Sequence, residues 1–160
     1  YNYFSKIGNY EADDMLAMGM YHAQQLGEEC AVVHIDKDLN QIPGLHYNFV
    51  TQTEYVIDRF TGFKNFCIQH LTGDASDNIP GLKGVGPATA KKLLKDCETL
   101  EELHKAVEEA YKAAGHDREY HIEQGKLCYL LRTKESMYDG LFETIKDELI
   151  GGHIDELSDS

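Results

Sequence analysis

No stretch of these 160 residues is apolar for long enough to span a bilayer, and no signal-peptide pattern opens the chain. Both absences argue against a membrane-anchored or exported protein. No C-x-x-C pair occurs either: Cys30, Cys67, Cys97 and Cys128 are widely scattered, as are the eight histidines. That spacing disfavours a zinc site or a disulfide framework and fits reduced thiols in a cytoplasmic protein. Internal repeats are lacking. Basic residues are also scarce, with 15 Lys and Arg against 28 Asp and Glu and a formal charge of −13. Taken alone, that deficit opposes a nucleic-acid partner, because phosphate binding draws on a basic surface.

The charge is unevenly spread, however. From Ile79 to Lys95 there are four lysines and no acid. A local basic stripe can bind phosphate on an acidic protein, although long-range steering is then poor. Bound divalent cations would offset part of the negative charge as well.

The length fits one compact domain or two small ones. Ala12 to Leu26 has an imperfect apolar face at helical spacing. Cys30 to Ile35 is a short, nearly continuous apolar run, which predicts a strand buried on both faces of a parallel sheet. Asp36 and Asp38 then fall at the strand's C-terminal end, where open α/β sheets place their active sites. Leu45–Val50 and Glu54–Asp58 are expected to pair as a hairpin across Thr51-Gln52-Thr53. Further on, the pattern is helical: about Phe63–Leu71, Pro87–Lys95 with proline in the first turn, Thr99–Ala113 and Glu119–Arg132. Glu101, Glu102, Glu108 and Glu109 belong to a solvated face. The acidic tail, Gly151 to Ser160, is expected to fray. The fold class is therefore α/β, with an α/β core over residues 1–59 and a helical region over 60–160.

Three acidic clusters stand out. Glu11, Asp13 and Asp14 open the first helix, where acids can simply cap amides and complement the helix dipole. Asp36-Lys37-Asp38 follows the apolar strand, at an end that requires no cap. Lys37 between the two acids either reaches a phosphate or is a screened surface lysine. Asp74 and Asp77 lie three apart before a proline-glycine turn, where Asp-Asn is ordinary turn chemistry. Seven carboxylates converging on one cleft would repel strongly, about 4 kcal/mol for two charges 4 Å apart at an effective dielectric of 20. Such a cluster must protonate, splay into water or bind hard cations, which prefer oxygen ligands. Two Mg²⁺ ions, with Mn²⁺ as a substitute, would answer the repulsion and serve phosphodiester hydrolysis.

Pro80-Gly81-Leu82-Lys83-Gly84-Val85-Gly86-Pro87 joins two of the expected helices. Its glycines let backbone approach a phosphate or an ion. The next helix carries Thr89, Lys91, Lys92 and Lys95, so Lys83, Gly84, Gly86 and these four are the candidate DNA contacts, together with Lys37. Nothing in the hairpin suggests base reading. Four lysine–phosphate contacts would give a slope of about −3 to −4 in log K against log salt.

These residues resemble the 5′→3′ exonuclease and flap endonuclease family, which includes the nuclease domain of bacterial DNA polymerase I and related phage enzymes. Three motifs occur in the family's order: Glu11-Ala12-Asp13-Asp14; Ile35-Asp36-Lys37-Asp38-Leu39 with Gln41; and Gly73-Asp74-x-x-Asp77-Asn78-Ile79-Pro80-Gly81 running into Gly84-Val85-Gly86. The resemblance implies a Rossmann-like (PIN-like) nuclease core and, over about residues 63–95, a helix–three-turn–helix that grips duplex DNA. It implies that Glu11, Asp13 and Asp36 help hold one metal ion with Asp14 close behind, and that Asp38, Asp74 and Asp77 serve a second. It also implies a potassium ion on backbone oxygens, carried here onto Leu71, Thr72, Pro80, Leu82 and Val85. Family members begin with a strand bearing another metal-binding aspartate and then a helical arch. Neither precedes Tyr1, so the chain resembles the C-terminal portion of such a nuclease, acting as a monomer with that N-terminal segment as its partner.

The expected activity is metal-dependent hydrolysis of DNA at 5′ ends, flaps or nicks, leaving 5′ phosphates. Two other readings remain open. One is a non-catalytic, structure-selective DNA-binding module. The other is a haloacid-dehalogenase-type phosphatase, for which the Gly-Asp-x-x-Asp run is one residue short.

Overall fold

The computed structural model describes residues 10–136 and 138–142 of the chain. Helix α1 covers Ala12–Gln25 and is followed by strand β1, Ala31–His34. A short 3-10 turn, Lys37–Gln41, leads into strands β2, Gly44–Asn48, and β3, Thr53–Ile57. Four helices complete the order: α2, Arg59–Thr72; α3, Pro87–Leu93; α4, Leu100–Ala113; and α5, Arg118–Cys128. The acidic tail from Gly151 to Ser160 lies outside the described residues.

The sheet runs β1-β2-β3. β1 and β2 are parallel, with Val33 opposite Tyr47, while β2 and β3 form the expected antiparallel hairpin, with Leu45 opposite Val56. The sheet is therefore mixed, not parallel throughout. In the connecting turn Gln52 adopts a positive φ of 54°.

The expectation that β1 is buried on both faces does not hold among the described residues. Val32 and His34 are buried, but Val33 and Ile35 are 57% and 58% exposed. Successive side chains on a strand point to opposite faces. One face of β1 meets Met20, Ala17, Leu39 and Ile42 in a small apolar cluster. The other carries Val33 beside Leu45 and Val56 on the neighbouring strands, all exposed.

The larger apolar cluster joins Phe63, Phe66, Cys67 and Leu71 of α2 to Leu82, Ala90, Leu94, Leu103, Val107, Tyr111 and Tyr138. Helix α4 shows why its sequence folds as it does. Thr99 and Glu102 form a reciprocal capping box, and Leu103, Val107 and Tyr111 recur every four residues on the buried side. Glu101, Glu102, Glu108 and Glu109 are all exposed, as expected.

Helix α5 ends at Cys128, four residues before the expected Arg132. The chain leaves the helix there because its following backbone is held by other partners. The Leu130 amide donates to Gln41 Oε1 at 3.0 Å, and the Leu131 amide donates to an Asp14 carboxylate oxygen at 2.9 Å. α5 also buries polar groups, His121 and Gln124, at helical spacing. No described helix is long and apolar enough to cross a membrane.

Candidate metal centre

Asp36 and Asp38 leave the C-terminal end of β1 on the 3-10 turn. Asp36 caps that turn, accepting the Asp38 amide at 2.9 Å. The strand end thus does take a cap, contrary to expectation, and Asp36 has a local structural role. Asp74 and Asp77 are placed by the loop that follows α2. Its backbone pairs Asp74 with Ile79 in both directions, at 2.9 and 2.8 Å. An Asp74 side-chain oxygen accepts the Ser76 amide at 2.8 Å.

This loop closes only because residues 73 and 81 are glycines. Their φ values are 69° and 59°, in the region that favours glycine. A Cβ on Gly73 would strike the Ile79 carbonyl oxygen, and one on Gly81 would strike the Gly73 amide nitrogen. Helix α5 holds the loop from the far side: the Gly81 amide donates to Gln124 Oε1 at 3.2 Å, and the Tyr120 hydroxyl donates to the Gly81 carbonyl at 3.4 Å. Sequence reasoning gave α5 no functional part. The signal was a buried glutamine at an apolar-spaced position.

Asp38, Asp74 and Asp77 come together, with one carboxylate oxygen from each lying within 4.8 Å of the others. Burial raises the Asp38 carboxyl to about 6, and repulsion from Asp36 and Asp74 adds to the effect. Asp74 goes the other way, held below the ordinary carboxylate range first by the Ser76 amide and also by Lys37. In the metal-free protein Asp74 therefore ionises at lower pH than Asp38. Lys37 Nζ lies 3.8 Å from Asp74 with its side chain 81% exposed. Such a pair is weak.

The first cluster reaches the same neighbourhood. Asp13 is raised by burial and then by Asp36, Glu11, Asp14 and Asp77 in turn. Carboxylates from all three clusters therefore act on one group. Glu11 sits at the N-cap of α1 without a capping hydrogen bond, so capping does not account for it. Asp14 commits one oxygen to the Leu131 amide. Among the described residues Glu11, Asp13 and Asp36 do not form a second triad as tight as that of Asp38, Asp74 and Asp77.

The donor set fits a hard divalent cation. It is all carboxylate oxygen, mutually repelling and open to solvent at Asp77. Further along the chain, the run from Lys83 to Lys95 exposes its basic side chains while Ala90 and Leu94 are buried. Lys83, Gly84, Gly86, Thr89, Lys91, Lys92 and Lys95 are all exposed, and added Cβ atoms at Gly84 and Gly86 would meet nothing within 4 Å. Lys95 is 3.7 Å from Asp96. Of the carbonyls proposed for potassium, that of Leu71 accepts the Leu82 amide at 2.9 Å and that of Leu82 accepts the Val85 amide at 3.1 Å. Each has a second lone pair for another partner.

Residues 64–140 match the family described as 5′-3′ exonuclease, C-terminal SAM fold. The chain is 37% identical over 105 residues to DNA polymerase I of Deinococcus radiodurans, covering 61% of this chain and 11% of that protein. It is 32% identical over 132 residues to the thermostable DNA polymerase I of Thermus aquaticus, covering 78% and 16%. This chain belongs to the 5′-3′ exonuclease family. It spans between a tenth and a sixth of the length of these curated relatives. A solved structure, a mutant of the T5 5′-exonuclease, is 16% identical and aligns with a TM-score of 0.47, covering 77% of this chain and 68% of that one.

Proposed function

We propose that this chain carries the greater part of the metal site of a 5′ nuclease that hydrolyses DNA phosphodiesters at 5′ ends, flaps or nicks and leaves 5′ phosphates. The observation that carries this reading is the Asp38–Asp74–Asp77 triad, followed in the chain by an exposed, lysine-bearing glycine loop. Asp38, Asp74 and Asp77 would hold one Mg²⁺ or Mn²⁺, and Glu11, Asp13 and Asp36 a second, with Asp14 behind them. Such ions activate water and stabilise the leaving oxygen in phosphoryl chemistry.

The side chains divide the remaining work. Asp74, kept ionised by the Ser76 amide, is the anionic ligand available across the physiological range. Asp38 gives up its proton near pH 6 and completes the triad. The segment from α2 through α3 is read as the family's helix–three-turn–helix, its Gly84–Gly86 amides and Lys91, Lys92 and Lys95 contacting the duplex backbone. Backbone oxygens of Leu71, Thr72, Pro80, Leu82 and Val85 are the candidates for a potassium ion in that element. Neither element reads bases, so recognition is of DNA shape and phosphate.

The test is cleavage of a 5′-labelled flap duplex with Mg²⁺ or Mn²⁺. It uses the chain alone and the chain joined to the N-terminal nuclease segment of a DNA polymerase I relative. Asp74→Asn should abolish cleavage and leave folding and duplex binding intact. Cleavage undiminished by that substitution would remove Asp74 from the site. Duplex binding with no cleavage in either form would favour a non-catalytic DNA-binding module.

A further inference from the structure

Gln41 is 2% exposed, and its side-chain amide is fully engaged. Nε2 donates to Gln69 Oε1 at 3.1 Å and to the Cys128 carbonyl at 2.9 Å. Oε1 accepts the Leu130 amide at 3.0 Å. Its backbone carbonyl accepts from the buried Arg132 guanidinium at 3.0 Å. The same carbonyl packs against α2 where Gly62 leaves room; a Cβ there would lie 2.7 Å from the oxygen.

Each of these partners belongs to a segment that places a carboxylate. Gln41 ends the 3-10 turn that carries Asp38. Gln69 lies on the last turns of α2, which runs through Thr72 into the Asp74–Asp77 loop. Leu130 precedes Leu131, whose amide holds Asp14 in the first turn of α1. One side chain thus joins all three carboxylate-bearing segments, where the exposed Lys37–Asp74 pair and the Asn65–Asn40 hydrogen bond each join only the 3-10 turn to α2 and its loop.

We infer that Gln41 is a positioning residue that holds the three carboxylate-bearing segments at the separation a divalent cation needs. The inference rests on the metal-site reading above. The chemistry requires an amide: two donors and one acceptor are used at once, on partners that cannot all be served by a carboxylate or an apolar side chain. Glutamate would set a charge against the Cys128 carbonyl and Gln69 Oε1. Alanine would leave the Leu130 amide and the Cys128 carbonyl without their partner. Metal sites tolerate displacements of about 0.5 Å, so a loosened junction is felt at the ligands.

The experiment is a calorimetric titration of the metal-free full chain with Mn²⁺, alongside amide hydrogen exchange and flap cleavage. The variants are Gln41→Glu, Gln41→Ala, Gln69→Leu and Asp74→Asn. Losing a group bonded directly to a metal ligand costs on the order of 10- to 100-fold in affinity. Gln41 bonds to the ligand-bearing segments and not to a carboxylate, so its effect lies at or below the lower end. Both Gln41 variants should therefore raise the Mn²⁺ dissociation constant severalfold, up to about tenfold. They should also quicken exchange at the Leu130 and Leu131 amides before any metal is added. Gln69→Leu, which cuts a single branch, should raise the constant less.

A folded Gln41 variant with faster exchange and unchanged Mn²⁺ affinity would make the residue merely structural and overturn the inference. If both Gln41 variants fail to fold, unchanged affinity in Gln69→Leu overturns it instead. Wild-type binding no tighter than that of Asp74→Asn would overturn the metal-site reading itself, and this inference with it.

Discussion

The Leu131 backbone amide donates to the Asp14 carboxylate at 2.9 Å, across 117 positions of the chain. An acid at the start of α1 thereby holds down the strand-like segment that leaves α5. The family resemblance puts Asp14 close behind the metal ligands. Its geometry gives it a second, structural task that Glu11 and Asp13 do not share.

Replacing Asp14 should separate these tasks. Asp14→Ala leaves a half-buried amide without its charged partner and should cost about 1.5–3 kcal/mol in urea unfolding. Asp14→Asn keeps an oxygen acceptor for Leu131 and should cost less than half as much. Equal losses from the two would mean that the hydrogen bond is not what Asp14 contributes.

The Asp38 carboxyl should titrate near pH 6 in the metal-free protein, visible by carbon-detected NMR. Its folded pKa lies above the model-peptide value of 3.8. The folded state therefore binds more protons between the two values, and this group's contribution to stability falls as pH rises from about 4 to about 6. Asp38→Asn should raise the melting temperature of the metal-free protein at pH 7 and abolish its response to Mg²⁺. A fall in melting temperature would contradict the assigned repulsion.

Acid should unfold the helical part through its histidines. Burial lowers His70 to about 3 and His121 to about 4, and it lowers His104 as well. His121 Nε2 is paired with the Tyr138 hydroxyl at 2.8 Å, and His70 Nε2 with the His121 carbonyl at 2.9 Å. Folded pKa values below the unfolded value of 6.5 mean that the unfolded chain takes up protons first. The stability these groups confer is complete above about pH 6.5 and is lost progressively as pH falls to about 4 for His121 and about 3 for His70. Each contributes a slope of up to about 1.4 kcal/mol per pH unit. Circular dichroism from pH 7 to 3 should show this loss, and His70→Phe should flatten it.

The loop glycines should rank by surroundings, not by conformation alone. Gly73, Gly81 and Gly84 all have positive φ. Only the first two have backbone where a Cβ would go. Gly84→Ala should cost about 1–2 kcal/mol, the penalty of a left-handed residue in open space. Gly73→Ala and Gly81→Ala should each cost more than that and abolish cleavage, since the loop bearing Asp74 and Asp77 must open to admit the methyl group. Equal costs at all three positions, measured by urea unfolding, would refute the close-packing argument.

Much of this protein was legible in its sequence because the relevant physics is local. Apolar spacing placed α1, α2 and α4 to within a few residues; the Thr99–Glu102 capping box that starts α4 is a detail the structure adds. The Thr51–Thr53 turn implied the hairpin. The three acidic clusters were legible as metal-binding candidates because repulsion among so many carboxylates demands an explanation.

What lay beyond the sequence is non-local. An alternating strand and a doubly buried one look alike over four apolar residues; burial of β1 is decided by what packs on each face, and Val33 proved exposed. The early end of α5 could not be read from periodicity, because Gln41 and Asp14 capture the following amides from distant positions. The sequence by itself determined which residues could bind a cation and which segments would be helical, since both follow from side-chain chemistry and short-range spacing. The family resemblance grouped Asp38, Asp74 and Asp77, but only the tertiary structure decided how closely they meet, that Gln124 braces Gly81 and that Gln41 joins the acidic segments. Those contacts depend on how helices and turns distant in the chain close around buried hydrogen bonds, and no local pattern encodes that closure.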